Sequence, residues 1–565
     1  MRFAKWLLVC ALCLLSQMDG GEEVGAFLDE SGQMAKREVP EVCSVCPLVR
    51  GVVLVNSSAN LLPKSELEEV CGFYAPCVDV PGSKSQLERR LAPLYVDQPV
   101  TQEMIRCLKQ EIQAHYQENG RPFVLVAFPK QPLGADVLQF VVMDSHIGQV
   151  RVEGNCYTSD CRFLSRFKPQ CGDIIDQNGI QRDLDFMNRN QFTHVSAVYS
   201  PGQGRMTTDI ALLVHDRRPY QFFAGADNTG VETTNRQRLF AGFSGGQPLL
   251  WDFTYQYTTS YDPHRFQAHT AQARGYFPWK HLLNVYGGVA FVHTRLSFPG
   301  STNHGTSGQI STRYIIPLPP IEELSHEIQV GFDFKRTNNT IIFSELFSVV
   351  GKNVNLSQFV LEYEGYYNQE YYRINYGIRA YWSPGEMMSD QSNSDYNTLR
   401  PGAVNHWVYG KLYLRYEQKL RQYGSLNIWA RGQISNESLL PSEQIGLGGY
   451  DTVRGYDERQ FNYDGGFLLS AEFRTPHFDV IRYIRCSHIK DALQFLAFID
   501  SGWGTNHKTI PGEPQPDYLL STGPGVRYTL DPYFSARLDW GIKLHQQAVF
   551  TGGGSMLHFN TTFSY

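Results

Sequence analysis

From residue 218 to the C-terminus helical spacing is absent, and apolar and polar side chains alternate in segments of about ten residues separated by polar turns. In EYYRINYGIRAYWS, Tyr372, Ile374, Tyr376, Ile378, Ala380 and Trp382 fall on one face, while Arg373, Asn375, Gly377, Arg379 and Tyr381 fall on the other. VYGKLYLRYE sets Val408, Leu412, Leu414 and Tyr416 against Lys411, Arg415 and Glu417, and GSLNIWARGQ and GGFLLSAEFRT repeat the arrangement. Alternation alone fits a soluble sandwich as well as a membrane barrel. Three features favour a transmembrane β-barrel: about 16 segments, aromatic residues near their ends, and connections that alternate short and long.

The connections can be sorted by parity. With residue 218 on the inner side, the stretches near 229–234, 259–263, 294–305, 337–354, 384–403, 435–463, 503–517 and 544–554 are outer loops. The turns near 246, 278, 320, 368, 421 and 530 are inner, with one long inner connection at 476–490. Counting TIIFSELFSVV (340–350) as a further strand would invert every later connection, so it is assigned to the fourth outer loop. The final segment, LHFNTTFSY, puts Leu557, Phe559, Phe563 and Tyr565 on the lipid-facing parity. Phe563 and Tyr565 thus form an aromatic ending of the kind that bacterial barrels present to their insertion machinery.

The rest of the chain sets the compartment. A chain of 565 residues needs more than one domain, and a net charge of −6 argues against nucleic-acid binding. Arg2 and Lys5 precede an apolar run from Trp6 to Leu15, the build of a secretory signal peptide over residues 1–20; an uncleaved anchor helix is the alternative. Of 11 cysteines, Cys10 and Cys13 go with that segment, and eight of the remaining nine precede residue 172. In an exported chain this clustering predicts disulfides among Cys43, Cys46, Cys71, Cys77, Cys156, Cys161 and Cys171. Cys43 and Cys46 lack a second ligand pair at zinc-binding spacing, so no metal site is expected.

Between an N-terminal segment (21–47) and the barrel (218–565), two small α+β units follow one another. In the first, 48–152, VRGVVLV reads as a strand, PKSELEEVC as a short helix, and Thr101 as the cap of a helix in which Ile105, Leu108, Ile112 and Tyr116 share one face, stopped by Gly120. PFVLVAF and VLQFVVM are two further strands, and residues 71–87 read as a cysteine-bearing insertion. The second unit, 153–217, repeats the order with TSDCRFLSRF, NGIQRDLDFMNRN and two strands around a Pro-Gly turn. This repeated β-α-α-β-β order is the pattern of a POTRA domain, whose sheet edges are suited to adding a partner strand.

One loop has no period at all. GGYDTVRGYDERQ (448–460) sets Arg454 among glycine, tyrosine and acidic residues. Two segments later, ALQFLAFID puts Leu493, Phe495, Ala497 and Ile499 on the lipid parity, so Gln494, Leu496, Phe498 and Asp500 point inward, where a carboxylate needs a partner. Val453-Arg454-Gly455-Tyr456 in the loop after the eleventh segment, together with Phe498-x-Asp500 on the thirteenth, resembles the outer-membrane transporters of two-partner secretion, the ShlB/FhaC/HecB haemolysin secretion and activation family. The resemblance implies that the loop folds into the lumen and that Arg454 pairs with Asp500. Gly448, Gly449 and Gly455 would supply the tight backbone, and Tyr450 and Tyr456 would pack the tip. The family's pore-plugging helix has only a short, charged counterpart in residues 21–40.

The resemblance further implies a pore in the outer membrane of a diderm bacterium, with POTRA domains in the periplasm. It implies a secreted exoprotein with an N-terminal secretion domain as partner, outer-membrane lipids and the barrel-insertion machinery as surroundings, and no cofactor. A BamA-like assembly factor and a passive porin are the alternatives. No phosphate loop, Gly-x-Ser-x-Gly or His-Glu-x-x-His stretch is present, so no catalytic residue is assigned and no enzymatic activity is expected.

Overall fold

The computed structural model describes residues 48–131, 136–295, 302–321, 323–337, 353–481, 490–508, 518–545 and 553–565. The expected signal peptide, residues 21–47 with Cys43 and Cys46, and the 340–350 segment lie outside these.

In the first module the wholly buried strand Gly51–Val55 runs parallel to Val137–Asp144 on one side and to Gly72–Tyr74 on the other. The last of these strands belongs to the stretch read as an insertion, which therefore adds an edge to the sheet. The Thr101 hydroxyl accepts from the Met104 backbone N–H at 3.1 Å and starts helix Gln102–Glu118. Gly120, at φ +85°, ends it. The buried stripe is Met104, Leu108, Ile112 and Tyr116; Ile105 is only half-buried, so the face is rotated by one residue from the expected one at its first position.

The second module orders its strands as His146–Glu153, Thr207–Asp216, Thr193–Pro201, the first pair parallel and the second antiparallel. Strand His146–Glu153 belongs to this sheet, which moves the module boundary from residue 152 to about residue 145. Helix Gln177–Met187 is capped by Asp176 and presents Ile180, Leu184 and Met187 to a core that includes Ile147, Val195, Ile210 and Leu212.

Sixteen antiparallel strands then close a barrel, from Tyr220–Asp227 to Ser555–Ser564, with the last pairing to the first through Asn560↔Asp227. The number of strands is even, so both ends of the barrel chain lie on the same side. The two faces have opposite chemistry. Ile378, Trp382 and Leu412 are exposed on the outside, whereas Tyr381, Ser470 and Asp500 are buried inside. An apolar outer face this large would aggregate in water, and it matches a lipid environment. The short turns, such as 248–250, 277–281 and 369–371, gather at one end with the single longer connection 475–490; the long connections gather at the other. Strands Leu324–Thr337 and Val354–Asn368 pair directly with each other, in keeping with a long connection between them.

The second module is fixed to the short-turn end. Leu249, from the turn after the second barrel strand, belongs to the module's core. Arg189 pairs with buried Glu327 at 2.6 Å, Arg166 donates to the Leu249 carbonyl at 3.0 Å, and Lys280 pairs with Asp183.

Candidate functional site

The connection after the eleventh strand, 436–464, enters the lumen. A short ladder between Ile445–Leu447 and Phe461–Tyr463 makes its stem, and Gly448 and Gly449, at φ +99° and +114°, turn the chain in a way that side chains with a Cβ rarely allow. Leu447, Val453, Tyr456, Phe461 and Tyr463 pack with Leu468 and Leu519 of the barrel wall in one buried cluster. Burial of these apolar side chains carries the loop inward, and polar contacts fix its tip.

At that tip Arg454, 2% exposed, forks onto Asp500: Nε reaches Oδ2 at 2.7 Å and Nη2 reaches Oδ1 at 2.7 Å. The Arg454 backbone N–H donates to the same carboxylate at 3.1 Å. Nη1 donates to Glu472 at 2.6 Å and to Asp539 at 3.4 Å, and Nη2 to the Ser470 hydroxyl at 3.2 Å. The guanidinium lies 3.4 Å from the centre of the Phe498 ring. A planar five-donor group is thus read by carboxylates at its edge and an aromatic face beneath, a geometry that lysine cannot reproduce. The structure brings Arg454, Phe498 and Asp500 into direct contact. Strand pairing aligns them with the rest, since Asp500 faces Ser470 and Phe498 faces Glu472 across the twelfth and thirteenth strands.

The remaining motif residues lock the tip. The Gly455 N–H donates to His558 Nε2 at 2.9 Å, and Tyr456 donates to the carbonyls of Leu520, at 3.1 Å, and His545. Tyr450 is half-buried beneath the Arg537 guanidinium, 3.8 Å from its ring centre, and its carbonyl accepts from Arg537 at 3.0 Å.

Residues outside the two motifs complete the network. Arg474 pairs with Glu472 at 2.6 Å, Arg527 with Asp539 at 2.6 Å, and Arg537 with Asp539 at 2.7 Å. Four arginines therefore surround three carboxylates, with every charge answered by a neighbour, which offsets the cost of taking them out of water. Glu472 and Asp539 stand on the inward parity of their strands, a signal the sequence carries.

The loop is also held at its base. Arg400 forks onto Asp464 at 2.7 and 3.2 Å, and Asp464 accepts from the backbone N–H groups of Leu439 and His507. Helix Asn393–Leu399, started by a capping box between Ser392 and Asp395, sets the position of Arg400. Glu443 accepts from Lys335 at 2.7 Å, from Tyr409 at 2.7 Å and from Gln358 at 3.0 Å. Local sequence gives no sign of these contacts, which join distant connections and strands.

Phe563 and Tyr565 are exposed on the barrel exterior at its seam, where Tyr565 and Phe222 exchange backbone hydrogen bonds at 2.8 and 2.9 Å. They are not part of the lumen cluster. The expected disulfides are not formed among the described residues: Cys71, Cys77, Cys156, Cys161 and Cys171 are exposed free thiols. Cys156 sits in a turn whose N–H groups at 156–158 are bound by the Asp216 carboxylate, with its sulfur directed to the Gly154 carbonyl. The Cys161 sulfur contacts the Ser159 hydroxyl at 3.2 Å. These side chains are engaged locally and do not meet.

The family description Haemolysin secretion/activation protein ShlB/FhaC/HecB matches residues 207–528. Outer membrane transporter CdiB of Dickeya dadantii (strain 3937) is 23% identical over 426 residues, covering 72% of this chain and 71% of its own. Heme/hemopexin transporter protein HuxB of Haemophilus influenzae (strain 86-028NP) is 20% identical over 431 residues, 73% and 72% of the two chains. Among solved structures, CdiB from Escherichia coli superposes with a TM-score of 0.74 at 16% identity over 94% of this chain and 93% of that one. CdiB from Acinetobacter baumannii gives 0.68 at 14% identity over 100% and 97%. Both likenesses extend over nearly the whole chain and show the fold, a sixteen-stranded barrel preceded by two small α+β modules. With more than half of its residues matched, the chain belongs to the ShlB/FhaC/HecB haemolysin secretion/activation family, two-partner secretion transporters that pass an exoprotein across the outer membrane.

Proposed function

We propose that the two modules stand in the periplasm and capture an unfolded exoprotein bearing an N-terminal secretion domain, which the barrel then passes outward through its lumen. The free edges of the module sheets support strand addition as the mode of capture. Haemolysin- or adhesin-type cargo fits the family. The protein performs this transport without catalytic chemistry of its own, and outer-membrane lipids and the barrel-insertion machinery, reading Phe563 and Tyr565, complete its surroundings.

The observation that carries the reading is the buried fork between Arg454 and Asp500. A polar loop tip is held in the path of a traversing chain by contacts that can be broken one at a time, and its position sets whether the lumen is filled. The test is secretion of the cognate exoprotein from cells carrying wild type or Arg454→Ala, with barrel insertion followed by heat-modifiable gel mobility. Collapse of secretion with insertion intact is the expected result. Unchanged secretion would remove the loop from the mechanism, and failure of other barrels to insert would make the protein an assembly factor instead.

A further inference from the structure

A cavity of about 910 Å³ remains in the lumen between the docked loop and the ninth to eleventh strands, Tyr372–Pro384, His406–Lys419 and Ser425–Ser435. Nine of its lining side chains are basic and four are acidic, so its field attracts anions and repels cations. Most of these charges are committed. Arg454, Arg474, Arg527 and Arg537 belong to the cluster described above, and Arg379 pairs with Glu362.

Lys411, Arg415 and Arg431 differ: none makes an ion pair with a carboxylate among the described residues. Arg415 and Arg431 have only neutral partners in strand register, whereas half-buried Lys411 also faces Arg379 on the ninth strand. Arg431 lies 4.9 Å from the Trp429 ring centre and Lys411 5.4 Å from those of Tyr381 and Tyr409. In strand register Lys411 faces Gln433, Arg431 faces Tyr413, and Arg415 faces Trp429. The three cations therefore occupy three successive inward rungs, alternating between two strands and spaced by about 7 Å. Arg415 and Arg431 are exposed to the lumen.

We propose that this ladder is a transit site for carboxylate side chains of the polypeptide crossing the lumen, taking Asp or Glu at alternate positions of an extended segment. The proposal rests on the translocation reading above. An extended chain repeats its side-chain direction every two residues, about 7 Å, which matches the rungs, and it presents carboxylates at that spacing without first folding. Two exposed arginines and a half-buried lysine in a confined, partly apolar cavity bind such a segment weakly enough to release it, as passage requires.

The test uses the full chain in planar bilayers, with polyglutamate and polylysine peptides of equal length added from the module side. Polyglutamate is expected to reduce the current at about tenfold lower concentration than polylysine. The difference should shrink between about 0.1 and 1 M KCl, as the screening length falls from about 10 to 3 Å. In Arg415→Gln/Arg431→Gln the preference is lost, and in Arg415→Lys/Arg431→Lys it is kept. Equal block by both peptides in the wild type overturns the proposal whatever the variants do, and so does a preference that survives in the glutamine variant. Chloride selectivity without a difference between the peptides would leave a site for small anions only and overturn the polypeptide assignment. Peptide preference is read without secretion, so its failure is distinguishable from failure of the translocation reading, which the Arg454→Ala experiment decides.

Discussion

Gly455 at the loop tip and Gly541 on the fifteenth strand meet backbone to backbone: a Cβ added at Gly541 would stand 2.2 Å from the Gly455 nitrogen, and one added at Gly455 would stand 2.9 Å from the Gly541 carbonyl carbon. Gly455 also holds φ +93°. Neither atom set can yield, because both are backbone. Gly541→Val is therefore expected to lift the tip from the wall while the barrel still closes. A larger single-channel conductance than wild type, with Gly541→Ala between the two, is the predicted result; identical conductance in all three would mean the tip does not depend on this contact.

The fork separates charge from shape. Arg454→Ala leaves Asp500 and Glu472 buried with too few partners, at a cost of about 3–5 kcal/mol. Arg454→Lys keeps the charge but not two parallel donors or the stack on Phe498, so it should recover only part of the loss. The temperature at which the compact, heat-modifiable form is lost should fall in the order wild type, Lys, Ala. Full recovery by lysine would show that charge alone holds the loop.

At the loop base, Arg400 and Asp464 are both buried and fork onto each other. Removing either side chain should loosen the same segment, so Arg400→Ala, Asp464→Ala and the double variant should show similar protease sensitivity within 436–464. If the double variant is as sensitive as the two single effects added together, the residues act independently.

Five of the described cysteines are exposed free thiols. Cys71, Cys77, Cys156, Cys161 and Cys171 should react with a maleimide in the folded protein without reductant. Labelling that requires prior reduction would mean bridges form in the cell.

The barrel was the most legible part of the sequence, because a strand between lipid and lumen must alternate its chemistry at every residue, and segments such as 372–382 carry that signal in full. Phe498 and Asp500 were placed inward by the same parity, and the resemblance supplied Arg454 as partner. Glu472 and Asp539 share that parity, yet parity gives a side and not a meeting point; their convergence depends on the barrel's register. Arg400 with Asp464, and Glu443 with Lys335, join residues far apart in sequence, so no local pattern could announce them. The cysteines misled for a different reason. Their number and the exported context predict oxidation, whereas a disulfide needs two Cβ atoms within a narrow range of distance and direction, which composition does not encode. The short strand Gly72–Tyr74, inside the stretch read as an insertion, was missed because three residues are too few for a period to register.

On the proposed function, Arg454 and Asp500 act as one unit in moving the exoprotein across the barrel. The most direct measurement is a double-mutant cycle on secretion of the cognate exoprotein, with Arg454→Ala, Asp500→Ala and the pair compared at equal levels of inserted barrel. We expect each single variant to lose about as much secretion as the double, because breaking either half releases the same loop. Secretion near wild type in either single variant, or losses that multiply in the double, would contradict it.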